Sequence, residues 1–89
     1  MPMLGRRIPI NRRVYIPVKI ARELNLASAR HVDVTLMHNG RVVTIPASVK
    51  VVRNEHGTYI YLRLHKRAMD ECGVQILDYV EILGIKPRE

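Results

Sequence analysis

The apolar positions of this 89-residue chain repeat in its two halves. When the first half is moved along the sequence until Asn25 falls on Gly73, the two residue types best suited to a left-handed helix cap coincide. We call this displacement the repeat shift. Any two strand–helix–strand segments slide into partial register, so a chance alignment is the alternative, but the coincident cap favours a repeat. We therefore predict one domain over residues 1–89, built from half-repeats 1–46 and 47–89. The repeat shift superimposes seven apolar positions on seven others, namely Val14, Ile16, Ile20, Leu24, Leu26, Val32 and Val34 on Leu62, Leu64, Ala68, Cys72, Val74, Val80 and Ile82.

Alternating apolar residues in the first half predict short strands around one short helix. Residues 6–17 read as two short strands that form a hairpin around a turn near Asn11 and Arg12. A helix over 18–25 is expected to end at Asn25. A strand follows at 31–37, Asn39-Gly40 is a tight-turn signal, and the next strand is expected to end at Pro46.

The second half repeats this order. Strands are expected on both sides of a turn at 54–57, followed by a short helix over 65–72 that Gly73 closes, and then a last strand. The chain contains no Trp and no Phe, so its core has to consist mainly of Ile, Leu and Val, which favour strands. The fold class predicted is mainly β with two short helices.

Basic residues exceed acidic ones by seven, and the sequence pI is about 10.2. Such a balance in a short chain indicates a polyanionic partner, either DNA, RNA or an acidic surface, although a generic basic protein is the alternative. Residues 1–45 hold eight Lys or Arg and two acidic residues, whereas residues 46–89 hold seven and six. We therefore expect the main DNA-binding face in the first half, at Arg6, Arg7, Arg12, Arg13, Lys19 and Arg22.

A second, weaker basic patch contains Arg63, Lys66 and Arg67, together with His65. The acidic pair Asp70-Glu71 partly offsets it, so a helix of mixed charge is the equal alternative to a DNA contact. Tyr15, Tyr59 and Tyr61 fall on outward strand positions. Plain strand packing is the leading interpretation of these tyrosines, and base stacking is the alternative.

Several classes of protein are not indicated. Cys72 is the lone cysteine, so there is no disulfide framework, and a cytoplasmic location is expected. We find no signal peptide and no apolar run of membrane-spanning length. The four histidines lack the spacing of a metal site, and no phosphate loop or nucleophile–base motif is present. We therefore expect no enzyme activity, no cofactor and no metal.

The first half resembles the AbrB (SpoVT/AbrB) family of swapped-hairpin DNA-binding domains. The resemblance lies in Arg13-Val14-Tyr15-Ile16-Pro17-Val18, in Ile20-Ala21-Arg22-Glu23-Leu24-Asn25-Leu26 and in Val32-Asp33-Val34. Arg12 and Asn25 replace two glycines that are usual in the family. Arg13 corresponds to the family's arginine and Arg22 to a basic helix position, whereas Ala21 stands where many members have a second arginine.

The resemblance implies a fold and a function. Members fold as dimers in which each chain contributes a hairpin to an interleaved barrel, so two halves in one chain are expected to form a pseudo-dimeric monomer, with a homodimer as the alternative. They bind DNA through basic residues of the first hairpin and the helix. We therefore expect a nucleoid-associated transcription regulator or chromatin protein that binds duplex DNA. An antitoxin or other protein-interaction module, and an RNA-binding protein, are the alternatives.

Overall fold

The structure, a computed structural model, describes residues 7–88. These residues form a mainly β fold with two short helices, as the sequence predicts, and a single 3₁₀ turn (Leu26–Ser28) follows the first helix. The elements in chain order are β1 (Arg7–Pro9), β2 (Arg13–Ile16), α1 (Val18–Glu23), β3 (His31–His38), β4 (Arg41–Asn54), β5 (Gly57–Leu64), α2 (Lys66–Glu71) and β6 (Tyr79–Arg88).

All six strands belong to one antiparallel sheet with the order β1-β6-β3-β4-β5-β2. The edge strands of a flat six-stranded sheet lie about 24 Å apart. Here the two edge strands are β1 and β2, which only residues 10–12 connect, and this connection spans about 14 Å at most. The sheet therefore has to curl into a half-barrel that brings its two edges towards each other.

The predicted hairpin of β1 and β2 is wrong, because the two strands do not pair with each other. β1 pairs with β6 and β2 pairs with β5. The connection between them bonds to both sides of the barrel. Ile10 N–H donates to the Asp78 carbonyl (2.8 Å), and the Leu77 N–H donates to the Ile10 carbonyl (2.7 Å). Two residues later, the Leu64 N–H donates to the Arg12 carbonyl (2.7 Å).

The inner face of the curled sheet and one side of each helix form the core. All fourteen apolar positions aligned by the repeat shift lie in it or against it: eleven are buried, while Leu24, Ala68 and Cys72 are partly buried and pack on the others. Ala21 and Met69, which the repeat shift also aligns, are buried as well. Full burial of one such aliphatic side chain contributes about 1.5–3 kcal/mol to folding.

Pro46 does not end its strand, contrary to expectation. β4 runs through it, pairing with β3 over Arg41–Ser48 and with β5 over Ala47–Asn54. In an antiparallel strand, the N–H and the C=O of one residue point to the same side. The Pro46 carbonyl accepts a bond from the His65 N–H (3.0 Å), so this side of Pro46 faces away from β3. The N–H that proline lacks would therefore not have bonded β3, so Pro46 removes no bond from that ladder.

Left-handed residues follow both helices, as predicted. Asn25 has a φ of 57° and Gly73 a φ of 74°. The helices end at Glu23 and Glu71, two residues before Asn25 and Gly73, so both helices are shorter than expected. The Asn39-Gly40 turn is also confirmed, since both residues have positive φ values, as a tight hairpin turn requires.

The repeat shift relates β2, α1 and β3 to the end of β5, α2 and β6, whereas β1 falls mainly on the turn between β4 and β5 and has no counterpart. α1 and α2 are each six residues long, and the shift places the start of α1 on that of α2 and the start of β3 on that of β6. Val14 of β2 pairs with Leu62 of β5, its own counterpart in the alignment. β3 and β6 are paired with a bulge between Thr35 and Leu36, so Leu83 of β6 has no partner in β3. The repeat shift places Thr35 on Leu83, so the bulge also lies at a pair of related residues.

Candidate functional site

An open groove of about 560 Å³ lies where the ends of several strands meet the start of α2. We call it the basic groove. Its lining comes from the β1–β2 connection, the starts of β3 and α2, the middle of β4 and the ends of β5 and β6. The charged and ionisable side chains that line it are Arg12, His31, Lys50, Arg63, His65, Lys66, Arg67 and Arg88.

Among residues 7–88, six Lys or Arg side chains and no carboxylate line the basic groove. One of the six is partly neutralised, because Arg88 Nε lies 3.6 Å from Asp33 Oδ1, outside the groove. Within residues 7–88, no carboxylate lies within 4.0 Å of the other five. Like charges so concentrated repel one another, and a bound anion would relieve that repulsion.

Arg12 carries the most unusual donor of the groove. Its Nε is buried and has no hydrogen-bond partner among the described residues. The backbone around it is fixed, since the Arg12 N–H donates to Asn11 Oδ1 (2.8 Å) and its carbonyl accepts from the Leu64 N–H. A buried donor without a protein partner is costly, and an ordered water is the usual partner of such a group.

Two arginines lie directly opposite each other across β2 and β5, at Arg13 and Arg63. Like charges in this relation destabilise a sheet. The Arg13 guanidinium lies over the Tyr61 ring, 5.3 Å from its centre, which offsets part of this cost. Arg63 lines the basic groove instead.

The structure brings together some of the residues predicted from sequence and separates others. Arg12 of the first half joins the weaker patch Arg63, Lys66 and Arg67 in the basic groove. The remaining first-half candidates that are described, Arg7, Arg13, Lys19 and Arg22, do not line it, and Arg7 lies by a smaller pocket beside Tyr79 and Glu81. Arg6 lies outside the described residues.

Sequence reasoning missed three residues of the groove, His31, Lys50 and Arg88. They are isolated on three different strands, and no local pattern links them. The strand order alone brings them together, since β3 has β4 on one side and β6 on the other. His31 is level with Ser48 of β4 and with Arg88 of β6.

A buried histidine and a carboxylate form a second polar site, away from the groove. His38 Nε2 lies 2.9 Å from Asp78 Oδ2, which also accepts a bond from the Gln75 N–H (2.9 Å). The backbone bond from Gln75, followed by the bond to His38, lowers the pKa of Asp78 below its ordinary value. This site fastens the turn before β6 to the end of β3.

Comparison with protein-family models, with curated proteins and with solved structures finds no match to this chain. Neither helix within residues 7–88 is long and apolar enough to cross a membrane. In the same part of the chain, no three His, Cys, Asp or Glu side chains are grouped so that they could hold a metal ion.

Proposed function

We propose that this protein binds duplex DNA through the basic groove, as a cytoplasmic transcription regulator or chromatin-associated protein, and has no catalytic role. The observation that carries the proposal is the concentration of cations in the groove, which six Lys or Arg side chains and no carboxylate of the described residues line. Duplex DNA presents closely spaced phosphates, and each contact with Lys or Arg releases bound counterions. Arg12, which lines the groove, would offer its guanidinium to such a phosphate together with the second-half cations.

We also propose that the chain is an AbrB-like pseudo-dimer formed by an internal repeat. Four observations support this: helices of equal length related by the repeat shift, left-handed residues two positions after both, the pairing of Val14 with Leu62, and the bulge beside Thr35. A two-fold axis makes related residues meet at the axis. Val14 and Leu62 meet in this way, as the two copies of one residue do in a symmetric dimer.

The test is a salt titration with two matched double variants. Lys66→Gln/Arg67→Gln removes two cations from the groove, and Lys19→Gln/Arg22→Gln removes two from the other helix. All four residues are exposed, and the repeat shift relates Lys19 to Arg67. We expect the groove variant to bind a short labelled duplex at least about tenfold more weakly, and its log–log salt slope to fall by about one per cation lost.

The control variant has the same net charge as the groove variant, so general electrostatic attraction affects both alike. We expect it to retain most of the affinity of the wild-type protein, with thermal melts showing that both variants are folded. Duplex binding that does not depend on salt would contradict the proposal. If the α1 variant loses more affinity than the groove variant, the DNA-binding face lies on the first helix instead.

A protein partner, as in an antitoxin, is the second candidate. An exposed apolar segment favours it, because Ile76, Leu77 and Tyr79 are each more than half exposed close to one another in the chain. Exposed apolar patches mark protein contacts. This candidate predicts that Leu77→Asp abolishes binding to a protein encoded by a neighbouring gene and leaves duplex binding unchanged.

A further inference from the structure

Three tyrosines form a cluster on the outer face of the sheet, which we call the tyrosine surface. Tyr15 belongs to the edge strand β2, and Tyr59 and Tyr61 belong to β5. The Tyr15 ring centre lies 5.8 Å from that of Tyr59 and 5.3 Å from that of Tyr61, and the rings are tilted by about 41–42°. Tyr15 is 53% exposed and Tyr59 39%, so ring surface remains open to a ligand.

The charged residues around these rings are all cations. Cross-strand partners point to the same face, so the outward residues of β2, β5 and the half of β4 paired with β5 can be read from the register. No outward position on these strands is acidic. The charged ones are Arg13, Lys50 and Arg63, which is the composition of a surface for a polyanion rather than of a neutral sheet face.

The tyrosine surface adjoins the basic groove. Lys50 lies directly opposite Tyr61, Arg63 follows Tyr61 by two residues on the same face, and both cations line the groove. Directly opposite strand residues are about 5 Å apart. A nucleic-acid strand whose phosphates contact Lys50 and Arg63 therefore has its bases within reach of Tyr61 and of the more exposed Tyr15.

We propose that the tyrosine surface stacks unpaired bases of a DNA strand whose phosphates lie in the basic groove. This inference rests on the proposed function and extends it, because it makes the preferred ligand a duplex with a single-stranded tail rather than a blunt duplex. Aromatic rings stack bases with little sequence preference, since every base presents a flat π-face. The Arg13 guanidinium, lying over Tyr61, offers a further plane for stacking.

The test compares three labelled duplexes: one blunt, one with a short thymidine tail, and one with an abasic tail of the same length. The two tailed duplexes carry the same number of phosphates, so only base stacking separates them. We expect the thymidine tail to bind at least about fivefold more tightly than the abasic tail. The chain has no Trp, so tyrosine emission reports stacking directly, and only the thymidine tail should quench it.

Variants link the effect to the tyrosine surface. Tyr15→Thr, which keeps a strand-favouring residue, should abolish the difference between the two tails, whereas Tyr15→Phe should retain it. Tyr79→Thr is the matched control, because Tyr79 is as exposed as Tyr15 but belongs to β6 and pairs with Pro9 of β1 rather than with a tyrosine of β5.

The outcomes separate the two proposals. Equal binding of both tails with salt-dependent binding of the blunt duplex would overturn base stacking and leave duplex binding in place. A tail preference that needs Tyr15, without salt-dependent binding of the blunt duplex, would support stacking and overturn the duplex function. Absence of binding to all three DNAs would overturn both.

Discussion

Arg12 and Arg13 are adjacent in the sequence but occupy different environments. Arg12 is partly buried and lines the basic groove, and its Nε has no partner within residues 7–88, whereas Arg13 is exposed and lies over Tyr61. Arg12 lies in the connection before β2, where its carbonyl accepts a bond from the Leu64 N–H, whereas Arg13 is the first residue of β2 and pairs with Arg63. A run of arginines in a sequence therefore does not define one contact surface.

Asp78 is expected to make stability sensitive to acid. Its pKa is lowered in the folded state, first by the Gln75 backbone bond and then by His38, so its contribution is complete above the unfolded value of about 3.9 and is lost as the pH falls through the lower folded pKa. Asp78→Asn should therefore reduce the free energy of unfolding more at neutral pH than in strong acid. Urea unfolding of both proteins at the two pH values measures this difference.

His38→Gln provides the control for this prediction. The Gln75 N–H is the larger cause of the lowered pKa and remains in this variant, so most of the acid-dependent loss of stability should remain as well. A stability difference between wild type and Asp78→Asn that stays constant with pH would show that Asp78 acts only through packing or neutral hydrogen bonds.

At the scale of elements, the end of α2 depends on the backbone freedom of Gly73. A Cβ at this position would meet no atom within 4 Å, so any cost of adding one comes from its φ of 74° rather than from a clash. We expect Gly73→Ala to lower the free energy of unfolding by about 1 kcal/mol. Gly73→Asn should cost less, because Asn tolerates this conformation and occupies the corresponding place at Asn25.

Gly84→Ala is a matched control for Gly73→Ala. Gly84 also has open space for a Cβ, but its φ lies outside the left-handed region. Alanine there should leave stability nearly unchanged or raise it slightly, because it restricts the unfolded chain. Equal losses for Gly73→Ala and Gly84→Ala in urea unfolding would rule out the left-handed turn as the cause.

Local elements could be predicted from the sequence, but their partners could not. The helices, the left-handed caps and the Asn39-Gly40 turn follow from short-range patterns, and the structure confirms them. The predicted β1–β2 hairpin was wrong because both strands find longer partners elsewhere, in β6 and β5. Pro46 was read as a strand end because the sequence does not show which side of β4 its missing N–H would face.

At the scale of the whole molecule, charge is sorted by the fold rather than by the sequence halves. The second half has nearly balanced charge, yet it provides five of the six Lys or Arg side chains of the basic groove. Those of its acidic residues that the structure describes lie outside the groove lining, as Asp70 and Glu71 do at the far end of α2. Net charge by segment averages over faces, so it does not show which cations share one groove.

The groove also breaks the apparent two-fold symmetry of the chain. The repeat shift assigns a first-half counterpart to each groove cation of β5 and α2. These counterparts are Tyr15 for Arg63, Val18 for Lys66 and Lys19 for Arg67. Only one of the three counterparts is charged. A symmetric dimer would carry two equivalent grooves, whereas these residues build one per chain, which suits a ligand without two-fold symmetry.

The two halves are expected to depend on each other for folding. Five strand pairings are present within residues 7–88, and three of them, β1–β6, β3–β6 and β2–β5, join the first half to the second. A fragment of residues 1–46 or 47–89 loses these ladders and exposes its share of the common core, and chains of this size bury too little apolar surface to fold alone. Neither fragment should therefore melt cooperatively as a monomer, whereas an equimolar mixture should recover the circular dichroism of the intact chain.

Size-exclusion chromatography and thermal melts of each fragment and of the mixture measure this dependence. A fragment that remains monomeric and melts cooperatively contradicts the shared core, while a homodimer of residues 1–46 supports the AbrB-like origin, because two copies of the first half would then replace the two unlike halves.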